Sequence, residues 1–96
     1  MNNLSTKSQD IKELYSAILL NSTTDEIQSF LDDLLSEDEV KEFANRWKVA
    51  NMLNDKKLYT EITEITGVSS ATIARINKCL TKENSGYLNI LSKTEK

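Results

Sequence analysis

Ninety-six residues carrying a net charge of −3 suffice for one domain with one modest core. The chain has no histidine and a single cysteine, Cys79, which excludes an intrachain disulfide and a cysteine-built zinc site and removes the commonest general base. With no proline and only two glycines, Gly67 and Gly86, few positions interrupt a helix, and an all-α chain of about six helices is expected.

The opening residues, MNNLSTKS, are polar and expected to fray. Ile11, Leu14, Tyr15, Ile18 and Leu19 then recur at helical spacing and predict a first amphipathic helix. Asn21 to Thr24 breaks it and offers caps for a second helix, whose stripe is Ile27, Phe30, Leu31, Leu34 and Leu35. Ser36 and Glu39 have capping-box spacing, so a third helix starts there, with Glu37, Asp38 and Glu39 at the positive end of its dipole. Val40, Phe43, Ala44, Trp47, Ala50, Met52 and Leu53 are expected on its buried side, Trp47 as core or subunit interface, with the end near Asn54-Asp55. Lys56 and Lys57 lead into the next segment.

Residues 59–80 read as two short helices joined at Gly67. Ile62, Val68, Ile73 and Ile76 face inward, whereas Ser69, Ser70, Ala71, Ala74, Arg75 and Lys78 are small or polar on the other side. This is a helix-turn-helix pattern: the glycine makes the turn, and small outward residues let the second helix enter a major groove. Ser69 is the expected N-cap of that helix. Glu83 to Gly86 reads as a turn, and Tyr87, Leu88 and Leu91 predict a short closing helix.

Charge follows the same division. Residues 1–55 hold five Lys/Arg and eleven Asp/Glu, a balance of −6, and residues 56–96 hold seven and four, a balance of +3. A basic reading head on an acidic body binds DNA weakly unless it is dimeric and specific. No catalytic site is expected: the carboxylates sit at helix starts or on polar faces, and no glycine-rich phosphate loop follows a strand. No metal site and no membrane association are expected either. With no secretory core after Met1 and no apolar run of spanning length, a cytoplasmic protein is expected.

The runs LLSEDEVKEFANRWKVANML and TEITGVSSATIARINKCL resemble the Trp-repressor family, and within it the YerC/YecD-type branch of Trp-repressor-like regulators. The resemblance implies one domain over residues 1–96, an intertwined homodimer, and a sequence-specific DNA-binding regulator, most simply a repressor, with operator DNA as partner. It places groove-facing positions at Thr60, Thr63, Ser70, Ala71, Thr72 and Ala74. Ser69 and Lys78 complete the candidate DNA-binding set. It also implies a corepressor site that Ser36, Arg46 and Arg75 match. This chain departs from the pattern where Ile76 replaces a glycine and Cys79 replaces a serine.

An isoleucine fills with its own side chain the space a flat ligand would occupy, so the tryptophan response is expected to be lost or altered. No cofactor is required on this reading; L-tryptophan or another small effector is the candidate ligand. The competing reading is a helical protein-interaction module that keeps the helix-turn-helix core without binding DNA.

Overall fold

The computed structural model describes residues 3–94, and side chains from residue 7 onward. Among these residues there are six helices: α1 (Asn3–Leu19), α2 (Thr24–Leu34), α3 (Glu37–Asn54), α4 (Tyr59–Thr66), α5 (Ser70–Thr81) and α6 (Gly86–Thr94). Backbone contacts group the chain into two compact units, residues 1–40 and 41–96.

In the first unit the helix ends are set by side chains that replace missing backbone partners. Asn21 closes α1, its Nδ2 donating to the Ala17 and Ile18 carbonyls at 3.3 and 3.0 Å. The Thr23 hydroxyl accepts from the Glu26 N–H at 3.1 Å, and the Glu26 carboxylate accepts from the Ser22 N–H at 2.7 Å. The expected capping box at α3 is present: the Ser36 Oγ accepts from the Glu39 N–H at 3.1 Å, and the Glu39 carboxylate accepts from the Ser36 N–H at 2.9 Å.

One expectation here needs correction. Helix α1 already starts at Asn3, so the run from there to Ser8 is helical rather than frayed; Met1 and Asn2 lie outside the described residues. The apolar stripes are formed as expected, yet none of residues 7–40 is fully buried. Leu19 and Leu20 are 84% and 82% exposed, and Tyr15 and Leu34 are also exposed.

The Ser36–Glu39 box has a pH signature. The Ser36 backbone N–H, and after it the Ser36 hydroxyl, hold the Glu39 carboxyl below its ordinary range. A folded pKa below the unfolded one gives stability that is present above the unfolded pKa and lost as pH falls through the folded pKa. Ser36→Ala removes the hydroxyl and keeps the backbone N–H, so it should raise the Glu39 pKa only part of the way toward its ordinary value, and carboxyl NMR titration of both proteins checks this. An unchanged Glu39 midpoint would contradict the hydroxyl's part in the box.

The second unit holds the core. Val49, Ala50, Ile62, Ile73, Ile76, Leu80 and Leu91 are buried and form one cluster, with Met52, Leu53, Tyr59, Val68 and Tyr87 packed against it. The inward face expected for the helix-turn-helix is therefore correct in all four residues, Val68 being half-buried. The inner face of α3 is not as expected. Only Val49 and Ala50 are fully buried, whereas Phe43 is 50% and Trp47 37% exposed, and Ala44 is exposed as well. Periodicity identifies which side chains share a stripe but not what covers it.

The link from α3 to α4 is a Schellman ending. Lys56 is left-handed at φ 67°, the Lys56 N–H donates to the Leu53 carbonyl at 3.0 Å, and the Lys57 N–H to the Met52 carbonyl at 3.0 Å. Glycine has no side chain to crowd that conformation, so Lys56→Gly should stabilise the fold by about 1 kcal/mol. A thermal melt checks this, and a lower midpoint would contradict it. Gly86 belongs to α6 rather than to the expected turn. Ser85 precedes it as a buried cap, its Oγ accepting from the Leu88 N–H at 3.2 Å.

Candidate nucleic-acid interface and adjoining cleft

The α4–α5 turn is built from three residues. Gly67 is left-handed at φ 75° and donates its N–H to the Thr63 carbonyl at 2.8 Å, closing α4. No heavy atom would meet a Cβ at Gly67, so the constraint there is the backbone angle, not space. Thr66 braces the turn: its hydroxyl donates to the Ile62 carbonyl at 2.7 Å and accepts from the Val68 N–H at 3.1 Å. Ser69 caps α5 as expected, accepting from the Thr72 N–H at 3.3 Å while its hydroxyl donates to the Thr72 Oγ1 at 3.1 Å.

The candidate DNA-binding residues divide into three groups. Thr60, Thr63 and Ser70 border one depression of about 380 Å3, together with Tyr59 and Glu64. Ala71, Ala74 and Lys78 are exposed along α5. Ser69 and Thr72 are tied to each other at the α5 cap, and Thr72 is half-buried. The exposed hydroxyls can donate to phosphate oxygens or hold bridging water, and the methyls can touch thymine methyls. Glu64 is an acid at the rim of the depression, which works against phosphate approach and was not among the residues expected there.

Four of the five candidate ligand-binding residues meet in one cleft of about 570 Å3: Arg46, Arg75, Ile76 and Cys79. Ser69, Thr72 and Tyr87 also border it, so the cleft shares Ser69 and Thr72 with the candidate DNA face. Ile76 is 5% exposed and belongs to both the core cluster and the lining of the cleft. Ser36 belongs to the first unit, and its hydroxyl is engaged at the α3 cap.

The Arg46 guanidinium donates to the Glu42 carboxylate at 2.6 Å, one turn back on α3, and lies 5.7 Å from the Phe43 ring centroid. That pair is solvent-exposed and contributes little stability, but it gives Arg46 a partner in the absence of any ligand. Arg75 is exposed on α5.

Tyr87 was expected only as part of a closing helix. It stacks on Trp47 with centroids 6.3 Å apart, and with Cys79 it borders both the cleft and a mainly apolar groove that includes Trp47 and Ile90. A tyrosine near the end of a chain carries no sequence signal for this double role. Thr66, directly before the turn glycine, could have been found from its hydroxyl at helix C-terminal spacing.

An all-α chain with a tight α4–Gly67–α5 unit and small polar residues on its outer side is a helix-turn-helix protein. Residues 9–95 match the model of the Trp repressor protein family, and the chain belongs to that family. Over 81 residues it is 35% identical to the uncharacterized protein YerC of Bacillus subtilis (strain 168), spanning 84% of this chain and 78% of that one.

A crystal structure of a TrpR-like protein from Eubacterium eligens ATCC 27750 matches with a TM-score of 0.86 at 35% identity, covering 98% of this chain and 100% of that one. A structure described as a candidate Trp repressor from Staphylococcus aureus matches at 0.83 and 31% identity, with coverage of 97% and 93%. The family is one of regulators rather than enzymes. No helix among the described residues is long and apolar enough to cross a membrane.

Proposed function

We propose that the chain is a sequence-specific DNA-binding regulator, acting in the cytoplasm as a homodimeric repressor that occupies an operator. The observation that carries this reading is the α4–α5 unit, where a left-handed glycine and a serine cap set the turn, Thr60, Thr63 and Ser70 border one depression, and Ala71 and Ala74 are exposed along α5. With no Asn, Gln or Arg among these, specificity would come from shape and water as much as from direct base contacts.

The dimer is supported by the first unit, whose apolar stripes contain no fully buried residue in the single chain. On this reading residues 1–96 form one domain that a second copy completes. The cleft at Arg46, Arg75, Ile76 and Cys79 is the effector position, and Ile76 makes tryptophan a poor occupant.

The competing reading, a protein-interaction module, is favoured by Glu64 at the rim of the depression and by the acidic first 55 residues. Selection of bound sequences from a random duplex pool, with and without L-tryptophan and with oligomeric state recorded, separates the two. A palindromic motif enriched equally in both arms supports a dimeric regulator free of tryptophan control. Enrichment only with tryptophan would show that Ile76 leaves room for the indole. No enrichment in either arm would move the conclusion to the interaction module.

A further inference from the structure

The eight candidate DNA-binding positions contain one basic residue, Lys78, while α4 itself carries Glu61 and Glu64. Duplex DNA is held mainly through its phosphates, so such a face needs cations from elsewhere. Two stand just ahead of Leu58, the N-cap of α4. Lys56 and Lys57 are both exposed, and among the described residues neither is in an ion pair.

Their backbone is fixed at both ends. The Lys56 and Lys57 N–H groups are bonded to the Leu53 and Met52 carbonyls of α3, and the Leu58 N–H donates to the Glu61 carboxylate of α4 at 3.1 Å. Lys56 also occupies a left-handed conformation that a glycine would adopt more easily. A side chain retained where glycine is conformationally better points to a use for that side chain.

We propose that Lys56 and Lys57 form a phosphate clamp for the backbone of duplex DNA at the entrance to α4. The first helix of a helix-turn-helix crosses the DNA backbone, and the N-terminal end of its dipole has the same sign as the lysines. The clamp supplies sequence-independent affinity, leaving the hydroxyls and methyls of α4 and α5 to discriminate. This inference rests on the DNA-binding reading.

The test measures binding of the full chain to a fluorescent mixed-sequence duplex of about 30 base pairs, from about 20 to about 200 mM salt. Lys56→Gly, Lys57→Gln and, as a charge control on α6, Lys93→Gln are compared with wild type, and each protein is also melted. Each lost phosphate contact should flatten the log–log salt slope by about 0.9 per protomer, an eightfold smaller loss of affinity over a roughly tenfold rise in salt.

Lys56→Gly should show this flattening while melting higher, so weaker binding could not be ascribed to a damaged fold. Lys57→Gln should flatten the slope without moving the melt, and Lys93→Gln should do neither. Wild-type salt dependence in both Lys56→Gly and Lys57→Gln would overturn the clamp, as would an equal loss in Lys93→Gln, which would make the effect one of bulk charge. Wild-type protein that binds no duplex at low salt would overturn the DNA-binding reading and the clamp together.

Discussion

Replacing Ile62 with alanine lowers the stability of the second unit by about 2–5 kcal/mol, the range for deleting a fully buried branched side chain. Ile62 has 0% exposure and sits in the cluster with Ile73, Ile76 and Val49. The loss has two sources: apolar surface no longer withdrawn from water, and a cavity that the surrounding helices cannot fully close. A chain of this size is stabilised overall by roughly 0.05–0.15 kcal/mol per residue, so the change removes a large fraction of the total.

Urea titration reads it as a lower midpoint. The comparison is Ile65→Ala, three residues on in the same helix, where the side chain is 59% exposed and the expected change lies within about 0.5 kcal/mol. Equal shifts in the two variants would mean that the inward face of α4 had been assigned to the wrong side.

The second large effect is at Ile76, where stability and ligand recognition are coupled. Ile76→Gly should cost about 2–5 kcal/mol for the lost side chain and about 1 kcal/mol more for a glycine inside α5. It should also open the cleft beside Arg46, Arg75 and Cys79. Wild-type protein is expected to show no thermal shift with indole or L-tryptophan, whereas the variant should be stabilised by whichever compound fills the space, in proportion to RT ln(1 + [L]/Kd).

Ile76→Ala offers a milder version of the same change should the glycine variant not fold. If neither variant melts higher with indole or L-tryptophan, the isoleucine is not what excludes the ring. A wild-type shift with tryptophan would contradict the proposed loss of the tryptophan response directly.

Much of this molecule was legible where a local chemical rule decides the outcome. Ser36–Glu39 and Ser69 were readable as caps because an oxygen at that spacing reaches orphan N–H groups. Gly67 was readable because only glycine is at ease in the turn it makes. The inward face of α4 and α5 followed from spacing alone.

Other features were hidden for physical reasons. Lys56 gives no turn signal because lysine is uncommon in the left-handed region, so its position became visible only in the backbone angle. Phe43 and Trp47 lie on an apolar stripe, but a stripe does not say whether its cover comes from the same chain. For the candidate site, the resemblance to the Trp-repressor family brought forward the four residues that meet in the cleft, and it missed Tyr87, which borders that cleft from a helix with no motif of its own.

Among the described side chains, from residue 7 onward, α1 and α2 bring none to full burial, and this makes abundance a structural variable. In the single chain Tyr15, Leu19 and Leu20 are displayed to water, and proteases and chaperones recognise such surfaces. Under the dimeric reading, scarce chains are cleared and plentiful ones persist. The regulator would then have a built-in concentration threshold, set by exposed leucines rather than by an effector.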